Sequence, residues 1–435
     1  MLHITIPVDN INERCYILGV IFRQFLGLEY SISANESNEG YSIGFNGSLI
    51  LFKDHFWGNL RKEKSYLNKN AIPKDVKLCK NKYIVEKDIP VLFGDEEMTI
   101  TDETLVCGID IFASSFFMLS RWEEYLGMNN DDHGRFPGNQ SLLGKNNLLH
   151  RPVVNEYVEM LWNMLVDLGY KGKRVYKEFQ LSLTHDVDAL TYSSYRTVLG
   201  DLIKRRNLLL AAKNLGYVWG KDPFDTYEYL MEVSEKLGLK SHFYFMSTDS
   251  KQPFDTSYYI KRKKFLSVVN KIKERGHILG FHPGYYTYNN MERWEYEKDM
   301  IENALQQKVS EGRQHFLRMD MPKTLSIWDS CGMHIDSSLG YADIEGFRCG
   351  TGDEFTVFDF INRKELKLKE RPLVIMDGTL KQRRNYSINK SKEVIRNYVS
   401  IAKKYHMGLT ILFHNSSFFG YWDGFYDVYN ELLNV

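Results

Sequence analysis

Apolar positions along this chain fall into two textures. Up to about residue 100, short apolar runs such as Ser48–Phe52 and Tyr83–Val85 alternate with polar, Asn-rich turns, the pattern of short strands in a small mixed α+β unit. Two longer segments, Ile109–Leu126 (IDIFASSFFMLSRWEEYL) and Asn155–Leu168 (NEYVEMLWNMLVDL), space their apolar residues three and four apart, which predicts two helices. Between them DDHGRFPGNQSLLGKNN is polar and turn-rich and reads as a surface loop. After Gly169-Tyr-Lys-Gly-Lys-Arg174 the texture changes. Short apolar strands are predicted at Phe179–Leu183, Ser241–Met246, His315–Arg318, Leu373–Met376 and Leu409–Phe413, with amphipathic helical segments between them, including Phe224–Leu237 and Tyr259–Arg275. Repeated βα units of this kind build a parallel sheet or barrel. The expected organisation is therefore an N-terminal α+β domain over residues 1–175 and an α/β domain over 176–435.

Composition narrows the picture. A chain of 435 residues exceeds the usual size of one domain, in keeping with that division. Lys plus Arg and Asp plus Glu balance at 56 each, so no net field draws a polyanion, and nucleic acid is not an expected partner. The five cysteines, Cys15, Cys79, Cys107, Cys331 and Cys349, are odd in number and never in a CxxC pair, which argues for reduced thiols rather than a disulfide framework or a thiolate zinc site. Asp9, Glu13 and Arg14 interrupt the first apolar stretch before it can serve as a secretory segment, and no uncharged run approaches the roughly 20 residues needed to cross a bilayer. A soluble, cytoplasmic protein is expected. An aromatic share of 14% fits core packing or platforms that stack on sugar rings, and composition does not separate the two.

In parallel βα architectures the active site lies where strands end at their C-terminal edge. Leu181-Ser-Leu-Thr runs into His185-Asp186-Val187-Asp188, two carboxylates at i and i+2 that repel unless a cation or proton shields them. An Asx-type turn closing the strand is the plain alternative. Arg275-Gly-His277-Ile-Leu-Gly-Phe-His282-Pro-Gly-Tyr-Tyr286 brings two imidazoles. His282, at a strand end, suits a divalent transition metal beside the acidic pair, whereas His277 reads as a helix cap or backbone partner. Arg318, in Arg313-Gln-His315-Phe-Leu-Arg318, either orients a carboxylate that acts as base or makes an ordinary ion pair. His414 follows the apolar strand Leu409–Phe413, where an imidazole can protonate a leaving group or sit as a satisfied core histidine.

In this order these stretches resemble the polysaccharide-deacetylase, or NodB-homology, superfamily, over about residues 176–435. The resemblance implies a distorted (β/α)7 barrel with Asp186 as general base and Asp188 and His282 as metal ligands. It further implies Arg318 as the residue that positions the base, with Arg348 of Gly346-Phe-Arg-Cys-Gly350 competing for that role, and His414 as general acid oriented by Asp377. One departure stands out: the family's second metal histidine lies four residues after the first, and that position is Tyr286 here. His315 or a water would then complete the coordination. The chain as a whole, including Phe116-Phe-Met-Leu-Ser-Arg-Trp-Glu-Glu-Tyr125, is similar to bacterial members associated with surface-polysaccharide synthesis, an analogy of fold rather than of chemistry.

The expected activity is metal-dependent hydrolysis of an N-acetyl, or alternatively an O-acetyl, group on a sugar or polysaccharide precursor, with zinc, cobalt or nickel as the ion. The alternative, prompted by Tyr286, is a catalytically silent carbohydrate-binding or assembly protein on the same barrel. Residues 1–175 carry no chemical motif, and the sequence sets no oligomeric state.

Overall fold

The computed structural model describes residues 1–36, 40–60, 65–127, 130–192, 208, 222–247, 253–255, 258 and 260–434. It is a mixed α/β structure of two compact units, each discontinuous in sequence. Unit one comprises Met1–Gln180, Leu317–Val374 and Ser400–Leu409; unit two comprises Leu181–Phe316, Ile375–Val399 and Thr410–Val435.

Unit one holds a six-stranded sheet in the order Tyr30–Ala34, Leu2–Ile6, Gly40–Phe45, Ser48–Lys53, Thr104–Ile109, Gly94–Ile100. Leu2–Ile6 runs parallel to Tyr30–Ala34 and antiparallel to Gly40–Phe45, so the sheet is mixed. Tyr41, Ile43 and Phe45 alternate inward with a period of two, the mark of a strand with one buried face. Against this core lies the helix Ile111–Ser120, whose ten residues are all buried and whose Asp110 caps it by accepting from Ala113 N at 3.0 Å.

Two expectations are corrected here. The single helix expected over 109–126 breaks at Arg121, which takes a left-handed φ of 56° before a second helix, Trp122–Leu126. At the break the buried Arg121 guanidinium pairs with Glu123 and Glu124 of the second helix. Tyr83–Val85 is not a strand; it lies among the bends that join the antiparallel pair Lys77–Lys80 and Asp88–Val91. The second expected helix is present as Val153–Asp167.

Six strands end in unit two, in the order Glu311–Gly312, Ile278–Phe281, His242–Phe245, Gln180–Val187, Gly408–Leu412, Leu373–Met376. The first three ladders of that order are parallel. Their strands are buried almost without alternation, as expected of parallel strands covered on both faces. The helices Tyr227–Lys236, Lys263–Glu274 and Met291–Leu305 connect them. Tyr259, where one helix was expected to begin, lies outside the described residues.

The strand expected at His315–Arg318 is also corrected. The strand is Glu311–Gly312, and His315–Leu317 forms a short turn in which Phe316 and Leu317 have φ of 61° and 54°. Left-handed backbone cannot continue a strand. Glycine at 312 permits this pairing, because a Cβ there would sit 1.9 Å from Phe281 O. Among the described residues no helix is long and apolar enough to cross a membrane.

Candidate functional site

Register brings the chemistry together. Val187 pairs with Phe245, Phe245 with Phe281, and Phe281 with Gly312, so four neighbouring strands end level. The residues that follow three of them are Asp188, His282 and Arg313. On the other side Phe413 N donates to Thr184 O at 3.1 Å, which delivers His414 to the same edge, and Asp377 follows the strand Leu373–Met376. Placement at the C-terminal ends of adjacent strands is where α/β sheets carry their sites.

Asp188 is the hub. Its Oδ1 lies 3.2 Å from His282 Nε2 and 3.8 Å from His315 Nε2, and its Oδ2 lies 3.6 Å from His414 Nε2. Among the described residues Asp188, His282 and His315 form one potential metal-holding group, with one ligand atom of each within 4.8 Å of the others. The far nitrogens of both histidines are already committed: His282 Nδ1 bonds Arg313 O at 2.6 Å, and His315 Nδ1 lies 3.1 Å from Asp255 Oδ1. Both rings therefore present Nε2 to Asp188, whose buried Oδ1 accepts no hydrogen bond from any described residue. Two imidazole nitrogens and an orphaned carboxylate oxygen form a His2Asp donor set, which fits zinc and its borderline neighbours in a site with one position left open.

The electrostatics agree. Burial would raise the Asp188 carboxyl, but the His315, His282 and His414 imidazoles outweigh it and hold the group well below the usual carboxylate range. Burial would lower His282, but Asp186 and Asp188 raise it above its ordinary value. Burial also opposes protonation of His414, yet Asp377 and Asp188 push it up to about 10. A carboxylate that stays charged among imidazoles that hold protons marks a cluster seeking positive charge, which a divalent ion supplies. His185, by contrast, is pushed down to about 3 by burial and bonds Phe413 O and Ser241 Oγ, a neutral core histidine. His277 accepts from Ser241 N at 2.9 Å, a backbone partner rather than a ligand.

Asp186 and the His414–Asp377 pair flank this group. Asp186 is buried, with Oδ1 2.8 Å from Arg313 Nη1 and Oδ2 3.9 Å from His282 Nε2. His414 Nδ1 lies 2.8 Å from Asp377 Oδ1, and its backbone N–H donates to Asp377 Oδ2 at 2.7 Å, so one carboxylate fixes both the ring and its main chain.

The guanidinium on Asp186 is that of Arg313, which sequence reasoning passed over. Arg318 belongs to unit one, where its Nε donates to His133 O at 2.7 Å. Arg348, the other candidate, is also in unit one and is buried against Glu124 and Gly340 O. Tyr286 lies beneath the Arg293 guanidinium, 5.4 Å from its ring centroid, and the second imidazole at Asp188 is that of His315.

A sequence profile described as a family of unknown function, DUF7033, matches residues 2–170. No curated protein matches the chain. Among solved structures, the chain is similar to a polysaccharide deacetylase described as putative, from Mycobacterium smegmatis, at 12% identity and a TM-score of 0.40, over 60% of this chain and 84% of that one. It is similar to a CE4-family pseudoenzyme from Bacillus anthracis at 12% identity and a TM-score of 0.32, over 60% of this chain and 62% of that one. A mutant of a CE4-family pseudoenzyme with restored enzymatic activity matches at 13% identity and a TM-score of 0.31, over 60% of this chain and 64% of that one.

Proposed function

We propose that residues 176–435 form a deacetylase of the polysaccharide-deacetylase type, on a distorted (β/α)7 barrel, that removes an N-acetyl group, or alternatively an O-acetyl group, from a sugar. The observation that carries this reading is the arrangement of two carboxylates and three imidazoles at one strand edge, with Asp188 facing two committed histidines and Asp186 facing none of the described cations but Arg313 and the more distant His282.

Asp188, His282 and His315 would hold a divalent ion such as zinc, cobalt or nickel. Bound there, such an ion supplies Lewis-acid polarisation of an acetyl carbonyl and acidifies a water. Asp186, oriented by Arg313, takes the proton from the attacking water. His414, held by Asp377 and kept protonated by its carboxylate neighbours, gives a proton to the departing amine as the carbon–nitrogen bond breaks, leaving acetate. The two proton carriers are separate side chains anchored by separate partners, as a reaction needing a base and then an acid requires.

The reading as a silent carbohydrate-binding protein is less well supported, because Tyr286, which prompted it, is offset by His315 beside Asp188. Acetate release from a panel of N-acetylated and O-acetylated sugars by zinc-loaded protein tests the proposal. Turnover in the wild type, lost in Asp186→Asn with the ion retained, is expected. Full turnover in Asp186→Asn would overturn the assignment of the base.

A further inference from the structure

Asp255 lies in a short described stretch, Pro253–Asp255, far in sequence from the strand ends that build the site. Its side chain is wholly shielded from solvent. Oδ1 accepts from Tyr285 N at 2.7 Å and lies 3.1 Å from His315 Nδ1. Oδ2 accepts no hydrogen bond from any described residue, its nearest cation being Arg293 Nη2 at 3.8 Å. A buried carboxylate without full pairing is unfavourable unless it serves a partner. Capping Tyr285 N alone is a task that an Asn or Ser performs without a buried charge.

His315 needs such a partner. It stands in a turn whose next two residues, Phe316 and Leu317, are held at left-handed φ, so no regular ladder fixes its ring. His282, on a regular strand end, has the Arg313 carbonyl for that purpose. An imidazole that donates Nδ1–H to a carboxylate has its Nε2 lone pair fixed in direction and made more basic, the known effect of a carboxylate–histidine pair on metal binding.

We infer that Asp255 is a positioning residue that makes His315 a metal ligand, and that this carboxylate–histidine pair replaces the imidazole which the Tyr286 position does not supply. The inference rests on the proposed metal centre. Asp255 also ties Tyr285, on the loop that follows His282, to the turn bearing His315, so one side chain sets the spacing of both ligand loops. The pair His277–Glu235, at 3.1 Å, has the same chemistry away from Asp188 and serves as an internal control.

Cobalt and zinc dissociation constants, measured by chelator competition on the full chain, test this, together with the visible absorption of the cobalt-loaded protein. Asp255→Asn, which keeps an acceptor for Tyr285 N but removes the charge, is expected to weaken binding about 10-fold, and Asp255→Ala up to about 100-fold, with an altered cobalt spectrum. Glu235→Gln should leave both readouts at the wild-type value. Wild-type binding with Asp255→Asn and Asp255→Ala unchanged, and both variants folded by circular dichroism, would overturn the role of Asp255 and leave the metal centre standing. No binding by the wild type would overturn the metal centre itself.

Discussion

Arg313 Nη1 meets Asp186 Oδ1 at 2.8 Å, both side chains buried, one residue beyond the strand Glu311–Gly312 and one before the end of Gln180–Val187. In the proposed mechanism the pair fixes which oxygen of Asp186 takes the proton. Arg313→Ala is predicted to lower kcat/KM by roughly 10²-fold or more, since a base that loses its orientation loses most of the benefit of general-base catalysis. Arg318→Ala is predicted to stay near the wild-type rate, because Arg318 serves the His133 carbonyl in unit one. Steady-state acetate release from the two variants separates these outcomes.

The proposed ligand set makes a second prediction. His315→Ala and His282→Ala should each weaken zinc binding by at least about 10-fold, whereas Tyr286→Phe should leave it unchanged, because the Tyr286 ring packs under Arg293. Chelator competition on the three variants is the check, and weakened binding in Tyr286→Phe would restore a ligand role for that position.

In unit one a buried ionic network joins Glu124 to Arg121 and Arg348, with Arg121 also on Glu123 and Tyr341 Oη. Removing its central carboxylate takes the carboxylate partner from the buried Arg348 and leaves Arg121 with Glu123 alone. Glu124→Ala is predicted to cost about 3–5 kcal/mol of stability, read as a lower urea midpoint with an unchanged slope.

The pH dependence of stability has an identifiable source in unit one. Burial and the neighbouring Asp336 carboxylate raise Glu370 well above its ordinary value of 4.5. The folded chain thus keeps a proton that the unfolded chain releases near that value. This contribution is fully present at lower pH and is lost as pH rises toward the folded group's own titration, by about 1.4 kcal/mol per unit. Glu370→Gln, which can still accept from Leu339 N, is predicted to flatten the fall in stability as pH rises above the ordinary carboxylate value. Urea midpoints across a pH series give the slope, and an unchanged slope in the variant contradicts the assignment.

Much of this arrangement was legible in the chain because parallel strands are short apolar runs and the residue after each run faces the site. Asp186, Asp188, His282, Asp377 and His414 all follow or close such runs, which is why spacing alone drew attention to them. Arg313 was missed for a physical reason. The apolar Phe316-Leu317 pair imitates a strand, and locating the strand there moved attention to Arg318, whereas the actual strand Glu311–Gly312 has no apolar residue to mark it. Asp255 carries no signal in one dimension, since its tie to His315 is made by a loop and exists only once the sheet is assembled. The break at Arg121 was equally hidden, because a helical repeat continues across it and only the buried ion pairs explain the left-handed residue.

Elemental analysis of protein purified without chelator, for the wild type beside Asp188→Ala and His315→Ala, shows whether Asp188, His282 and His315 build a metal centre. About one divalent transition-metal ion per chain is expected in the wild type, with its loss in both variants. A wild type that holds no ion even after incubation with zinc, cobalt or nickel would contradict that centre.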